Sequence, residues 1–504
     1  MSAVEDIVKA ANGVAFGVPG GGPSLELIDA IERGGGRFHT AHFEGAAALM
    51  AGAVGKLSGT PGVSISIKGP GLANMASGLV TAMLEDFPVL AVAEAFGRSE
   101  GPQKAHKRID QDRLTGAFVK ARCGISEKNA VAKLTKLALA ERPGPVLLEL
   151  ADTEPRFLPL AAKPPRNAAS VLRMVEAAKR PVVIAGSMAT RLGLSGCLSS
   201  LTVPVFSTAG AKGVIDEQRP NAAGVYTGAG IELAPERSLL AAADLVIGIG
   251  LRTHEVLVAG LPVAGVNVDD FDLAPGFAFS AVAPASQASC LLETLAARSA
   301  WGADQVAAVR ERMCKALLAG PFLPAQVFAL LADRLPDARM VLDTGFFCTI
   351  GEHMWDVRSP ELYLSSGQAR SMGAALPMAV GASLVRPDVP TVLAIGDGGL
   401  PMFVSELTLA ASEKAPVLVL FMCDGTYASI RDRAVVKNLT QRPLMPKASD
   451  WTAVASAFGF TVGYAMDAAD CADFIQKWDR KGPALLEIRF EPEPYRTMTA
   501  KLRS

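Results

Sequence analysis

The sequence lacks the features of secreted, membrane-spanning and nucleic-acid-binding proteins. Its seven cysteines are scattered and form no CxxC pair, so we expect neither a disulfide framework nor a zinc knuckle. No apolar run approaches the roughly 20 residues that cross a bilayer, and the acidic N-terminus has no apolar core of a signal peptide. The net charge is −1 and there is no basic run, which argues against nucleic acid as a partner. These absences predict a protein of the reducing cytoplasm.

What the sequence does contain indicates several buried α/β units. A chain of 504 residues is too long for one hydrophobic core. Half of the residues are hydrophobic and only 20% are charged, which is typical of a protein whose surface is partly covered by another subunit. Short apolar strands alternate with helical stretches almost throughout, and this pattern predicts parallel sheets covered on both faces.

Three consecutive α/β domains are predicted, over residues 1–155, 172–300 and 320–504. The first boundary falls in "ADTEPRFLPLAAKPPRNAAS", whose prolines and small polar residues are typical of a linker. The first block ends in "RPGPVLLEL" and the third in "KGPALLEIRF", each after a helical segment. This internal echo favours two similar domains that flank a different central one.

Two aspartates follow two apolar runs in the third block. The run "VPTVLAI" is followed by Asp397 in "GDGG", and the run "PVLVLFM" is followed by Asp424 in "CDGT". Parallel strands end at one edge of a sheet, so we expect both carboxylates to face one point, with a helix over 402–413 directing its positive end there. Two carboxylates and a loop carbonyl suit Mg²⁺ or Ca²⁺ shared with a phosphate, although turn chemistry explains either aspartate alone.

This segment resembles the thiamine diphosphate-binding motif of the family of benzoylformate decarboxylase, pyruvate decarboxylase and acetolactate synthase. The similarity lies in "GDG", a helix containing "SEL", an apolar strand and the turn "MCDGTYASIR". It implies that Asp397, Asp424 and the carbonyl of Thr426 hold Mg²⁺ on the diphosphate. The family usually has Asn where this chain has Asp424, so we expect cofactor affinity to depend strongly on the metal. The cofactor contacts that the resemblance implies in this segment are Gly396, Asp397, Gly398, Gly399, Asp424, Thr426 and Tyr427.

Glu44 opens a helix made otherwise of Ala, Gly, Leu, Met and Val in "EGAAALMAGAVG". A carboxyl group in that setting is expected to be partly buried, which suits proton exchange; the alternative is a first-turn glutamate that complements the helix dipole. The surrounding stretch resembles the family's pyrimidine-binding domain. The resemblance makes Glu44 the residue that activates the cofactor's aminopyrimidine, and it implies a site shared between two subunits of a homodimer or homotetramer.

The segment "SSGQARSMGAALPMAVGA" resembles the part of the family sequence that precedes "GDG". It implies that Met372 lies beneath the cofactor and enforces its bent conformation, and that the Arg370 carbonyl lies near the pyrimidine amino group. For Met372, ordinary core packing remains the alternative.

Three candidates for the substrate side come from the same resemblance. Ser24, in "VPGGGPSLEL", matches a pocket serine of benzoylformate decarboxylase, and it is also a candidate N-cap for the helix that follows. Lys68, in "SISIKGPG", stands at a strand end where it would anchor a substrate carboxylate or stabilise an alkoxide, unless it is an ordinary solvated lysine. His254, in "LRTHEV", falls near a second pocket histidine of that enzyme, with a surface histidine as the alternative.

The reaction that the resemblance implies is decarboxylation of a 2-oxo acid through an enamine intermediate, as in benzoylformate decarboxylase. An acetolactate synthase-like carboligase shares every step up to that enamine, so it remains open. Two further alternatives are C–C bond hydrolysis of a cyclic diketone and a catalytically degenerate, cofactor-binding subunit.

Overall fold

The computed structural model describes residues 3–503 except 12, 102, 159–162, 164–166, 298–300 and 448. It contains three sheets in three consecutive α/β domains, and this confirms the predicted fold class. Part of the predicted linker, at 159–162 and 164–166, lies outside the described residues, and the domain bounds stay a prediction. None of the helices in the described ranges is both long and apolar enough to span a membrane.

The first domain has a seven-stranded sheet in the order β2-β1-β3-β4-β6-β5-β7, parallel except where β7 pairs antiparallel with β5. Its strands are β1 (Val14–Gly17), β2 (Arg37–Thr40), β3 (Gly62–Ser66), β4 (Val89–Ala93), β5 (Ala121–Gly124), β6 (Pro145–Glu149) and β7 (Arg156–Phe157). Its helices are α1 (Ala3–Ala10), α2 (Pro23–Arg33), α3 (Glu44–Ser58), α4 (Pro70–Leu84), α5 (Gln111–Thr115) and α6 (Ala130–Leu139).

The central domain has a six-stranded parallel sheet in the order β10-β9-β8-β11-β12-β13. Its strands are β8 (Pro181–Ala185), β9 (Val205–Ser207), β10 (Ala222–Val225), β11 (Leu245–Ile249), β12 (Gly265–Val268) and β13 (Phe279–Ala283). The helices of this part of the chain are α7 (Ala168–Ala177), α8 (Ser187–Arg191), α9 (Ser195–Ser199), α10 (Pro235–Ala242), α11 (Ala288–Ala296) and α12 (Ala303–Leu318).

The third domain has a six-stranded parallel sheet in the order β15-β14-β16-β17-β19-β18. Its strands are β14 (Arg339–Leu342), β15 (Tyr363–Ser365), β16 (Thr391–Gly396), β17 (Val417–Cys423), β18 (Thr461–Ala465) and β19 (Ala484–Arg489). Its helices are α13 (Pro324–Arg334), α14 (Phe346–Met354), α15 (Ala375–Val385), α16 (Glu406–Ser412), α17 (Ala428–Val436), α18 (Trp451–Phe458), α19 (Ala468–Lys477) and α20 (Pro492–Thr499).

The first and third domains repeat one topology. Counted within each domain, the strand order 2-1-3-4-6-5 is common to both, and β7 adds a seventh strand to the first sheet. The echoed segments of the sequence form equivalent strands, β6 and β19. The two domains pack through α3 and α15, which are apolar all round and share one core cluster. Because the strand order is the same, loops that follow equivalent strands lie at equivalent places along the carboxyl edges of the two sheets.

Candidate cofactor and substrate site

A cavity of about 400 Å³ opens at the carboxyl edge of the third sheet. Loops that follow β14, β16 and β17 form its walls, which is where ligands bind in open α/β sheets. Every third-domain residue assigned from the sequence lines it: Arg370, Met372, Gly396, Asp397, Gly398, Gly399, Asp424, Thr426 and Tyr427.

The carboxylates of Asp397 and Asp424 are adjacent in this cavity. Asp397 Oδ2 accepts a hydrogen bond from the Asp424 amide at 3.0 Å, and its Oδ1 accepts one from the Cys423 thiol at 3.0 Å. Asp424 Oδ1 accepts from the amide and the hydroxyl of Thr426, at 2.9 and 3.2 Å. Burial, with a smaller contribution from the Asp397 charge, raises the pKa of Asp424 to about 6. Two neighbouring carboxylates fit a hard divalent cation.

The glycines after β16 bring the backbone against the cavity wall. A Cβ on Gly398 would lie 2.5 Å from Met372 Sδ and 2.7 Å from Tyr427 Cε1. A Cβ on Gly399 would lie 2.2 Å from Asp343 Oδ2. Only glycine fits at these two positions without a shift of the neighbours. The Gly399 amide donates to the Gly396 carbonyl at 3.1 Å, so the glycines allow the loop to pack closely against Met372, Tyr427 and Asp343.

The helix predicted over 402–413 is shorter than expected. A 3-10 turn covers Leu400–Phe403, and α16 covers only Glu406–Ser412. The reason is tighter winding: the Met402 amide bonds to the Gly399 carbonyl and the Leu407 amide to the Val404 carbonyl, both at 3.1 Å and three residues apart.

Asp343, which follows β14, was not predicted from the sequence as a site residue. Its side chain is fully buried and accepts the Gly373 amide at 2.9 Å, beside Met372. Burial raises the pKa of Asp343 to about 7. The signal was present, because Asp343 follows the short apolar run "MVL" just as Asp397 and Asp424 follow theirs.

Glu44 lies at the first turn of α3 and is only 8% exposed. Asn74 Nδ2 donates a hydrogen bond to Glu44 Oε2 at 3.0 Å, and Gly71 leaves room for the other oxygen. Glu44 does not line the cavity in the third domain of its own chain. Its burial agrees with the expectation from the sequence.

Ser24 and Lys68 lie together at the carboxyl edge of the first sheet, and both bind Glu94. The Ser24 hydroxyl donates to Glu94 Oε1 at 2.7 Å, and Lys68 Nζ donates to Glu94 Oε2 at 3.1 Å. Ser24 does not cap α2, because the helix begins at Pro23 and its N-cap is Gly22. Glu94 gave no sequence signal beyond its place at the end of an apolar strand.

The structure does not bring His254 to Ser24 and Lys68 within one chain. His254 Nε2 lies 3.2 Å from Asp86 Oδ2, between the first and central domains. Asp86 follows the end of α4, whereas Lys68 precedes its start, so the length of this helix separates His254 from the carboxyl edge of the first sheet.

Three family models match the chain in sequence order. The N-terminal TPP binding domain of thiamine pyrophosphate enzymes matches residues 3–114, the central domain matches 168–272, and the C-terminal TPP binding domain matches 343–488. Together they cover more than half of the chain and include most of the site described above.

Similar proteins extend over nearly the whole length. The chain is 27% identical to a probable 2-ketoarginine decarboxylase of Pseudomonas aeruginosa, over 94% of this chain and 90% of that protein. It is 28% identical to a catabolic acetolactate synthase of Raoultella terrigena, over 95% and 92%. An acetolactate synthase of Bacillus subtilis is 26% identical, over 94% and 90%.

Proposed function

The chain belongs to the thiamine pyrophosphate enzymes, and on that basis we propose that it is a thiamine diphosphate- and Mg²⁺-dependent decarboxylase of a 2-oxo acid. The observation that carries this proposal is the convergence of Asp397, Asp424 and the glycine loop on one cavity of the third domain. Similarity to a probable 2-ketoarginine decarboxylase over 94% of this chain supports the reaction class.

The chain's own residues have distinct roles in this proposal. Asp397, Asp424 and the Thr426 carbonyl would hold Mg²⁺ together with the diphosphate, and Met372 would pack against the cofactor. Glu44 would exchange a proton with the aminopyrimidine. When bound, thiamine diphosphate supplies the electron sink that cleavage of the bond to the carboxylate requires.

Glu44 comes from a second copy of the chain. It is buried in the first domain and lies outside the cavity that its own third domain forms. A homodimer that places the first domain of one copy over the third domain of the other supplies both halves of each site, so the dimer is the smallest active unit.

A direct assay tests the proposal. The protein is loaded with thiamine diphosphate and Mg²⁺ and given pyruvate and benzoylformate, separately and together, while CO₂ and organic products are measured. The proposal predicts CO₂ with a free aldehyde, and loss of both in D397A. Absence of CO₂ from a panel of 2-oxo acids, with cofactor shown to be bound, would overturn it and turn the search to cyclic diketones.

Carboligation is the second candidate, because acetolactate synthases are among the similar proteins. The same assay separates the two reactions. Acetolactate or a mixed hydroxyketone as the main product would assign the chain to the carboligases, since the two reactions share every step before the second carbonyl compound reacts.

A further inference from the structure

The first domain carries a polar cluster of Ser24, Lys68 and Glu94 at the place in its sheet that corresponds to the cofactor cavity of the third domain. Because the two sheets share one strand order, β1, β3 and β4 occupy the positions of β14, β16 and β17. In each domain, polar side chains follow these three strands. They are Asp343, Asp397 and Asp424 in the third domain and Ser24, Lys68 and Glu94 in the first.

Glu94 is the centre of this polar cluster, because it bonds to both Ser24 and Lys68. It is 3% exposed, and its two carboxylate oxygens divide their contacts between Ser24 and Lys68. Burial alone would raise the pKa of Glu94, but the hydrogen bonds from Ser24 and Lys68 outweigh it and lower the pKa. The turn before α2 closes over the carboxylate, since a Cβ on Gly22 would lie 2.6 Å from Glu94 Oε1.

The hydrogen-bond directions distinguish Ser24 from Lys68. A serine hydroxyl has one hydrogen, and Ser24 donates it to Glu94; the residue is also 0% exposed. Ser24 therefore has no donor left for a substrate carboxylate. A lysine ammonium has three hydrogens, and the bond from Lys68 to Glu94 uses one of them. The Lys68 side chain is 25% exposed, so its ammonium is the donor that a ligand reaches.

We propose that Glu94 is the positioning residue of the substrate side. It holds the Lys68 ammonium at the end of β3 so that the remaining N–H groups meet the carboxylate of the 2-oxo acid. Ser24 donates a hydrogen bond to Glu94 and does not contact the substrate. This inference rests on the proposed function, because it takes Lys68 to face a 2-oxo acid.

Steady-state kinetics of the holoenzyme test the inference, with the 2-oxo acid that the wild type converts. E94Q and K68M are each expected to raise KM by roughly tenfold, the effect of losing one charge-assisted hydrogen bond. Thiamine diphosphate affinity is expected to stay within about twofold, since neither residue lines the cofactor cavity. The double variant E94Q/K68M is expected to be no worse than K68M, because both changes remove one interaction.

A matched control is E217Q, which alters another buried glutamate paired with a lysine, Lys212. It is expected to lower the melting temperature without changing KM. An unchanged KM in E94Q, or additive effects in the double variant, would overturn the inference.

A second measurement does not depend on turnover. Trace acetylation with acetic anhydride, quantified at each lysine by mass spectrometry, reports how freely the Lys68 amine reacts. We expect E94Q to increase labelling of Lys68 severalfold and to leave Lys133 and Lys477 unchanged. Equal labelling of Lys68 in both proteins would overturn the positioning role. If the wild type binds cofactor but converts no 2-oxo acid, the proposed function and the substrate contact fail, and labelling still decides whether Glu94 holds Lys68.

Discussion

Glu85, in the first domain, holds the backbone of Ala369 in the third. Its Oε1 accepts the Ala369 amide at 2.7 Å and the neighbouring Gln368 amide at 3.0 Å. These two residues directly precede Arg370, which lines the cofactor cavity and has a left-handed backbone with φ of 49°. Glu85 of the first domain thus holds the backbone that leads into Arg370, a strained residue in the cavity wall.

We therefore expect E85A to weaken thiamine diphosphate binding by about tenfold, because it leaves two half-buried amides without their acceptor. E85Q keeps a carbonyl oxygen at the same place and is expected to stay within about threefold of the wild type. Quenching of tryptophan fluorescence by the cofactor, in saturating Mg²⁺, measures both affinities. Equal affinity in E85A and the wild type would show that the loop holds its shape without Glu85.

The stability of the protein is expected to fall as the pH rises towards 8. Burial raises the pKa of Glu85 from 4.5 to about 8, so between these values the folded protein keeps a proton that the unfolded chain has released. The contribution of Glu85 to the stability of the folded protein is complete below about pH 4.5 and is lost as the pH rises through about 8. Asp343 and Glu406 act in the same direction, since burial raises the pKa of each to about 7.

The difference between E85Q and the wild type isolates the Glu85 contribution, because the variant cannot titrate there. Melting temperatures measured from about pH 5 to pH 9 should fall less steeply in E85Q. Parallel curves for the two proteins would mean that Glu85 ionises in the folded and unfolded states alike.

The sequence predicted the residues whose role follows from their place along the chain. Asp397 and Asp424 stand directly after parallel strands, and parallel strands end at one edge, so their proximity was predictable. Glu85 and Glu94 were not, because their partners lie up to 284 and 70 residues away and only the packed domains bring them together. The helix predicted to start at residue 402 starts at Glu406 instead, and this part of the prediction was wrong. The choice between 3-10 and α-helical winding depends on local packing, which the sequence pattern does not show.

Gly398 is a position where one methyl group should disrupt cofactor binding. The Cβ of G398A would lie 2.5 Å from Met372 Sδ and 2.7 Å from Tyr427 Cε1, both of which line the cavity. We expect at least a tenfold loss of thiamine diphosphate affinity, measured by fluorescence quenching. G482A is the matched control in the same domain, since a Cβ there meets nothing within 4 Å. Equal affinity in both variants would show that the loop shifts at no cost.

Asp424 should govern the Mg²⁺ requirement. D424N keeps an oxygen ligand but removes the negative charge of Asp424, which the neighbouring Asp397 disfavours. We therefore expect a severalfold higher Mg²⁺ concentration at half-saturation. Cofactor affinity is expected to be normal once the metal is saturating. D424A loses the ligand as well and should weaken cofactor binding even in saturating Mg²⁺. Titration of Mg²⁺ at fixed thiamine diphosphate measures both, and wild-type behaviour of D424A would exclude Asp424 as a ligand.

Glu44 and Asp397 provide the test of whether two copies share each site. E44Q is expected to bind thiamine diphosphate normally and to lose turnover by at least 100-fold, because the proton it holds is needed only for activation. D397A is expected to lose turnover because it binds the metal and cofactor poorly. Each variant alone should be nearly inactive for a different reason.

Mixing the two variants after reversible dissociation should restore activity. In a mixed dimer, one site receives Glu44 from the D397A copy and Asp397 from the E44Q copy, so it is intact, while the other site carries both changes. Random assortment makes about half of the dimers mixed, which predicts about one-quarter of wild-type activity. A site built within one chain gives no recovery, because every chain carries one of the two changes. Recovery near one-quarter would therefore place Glu44 and Asp397 of each working site on different copies of the chain.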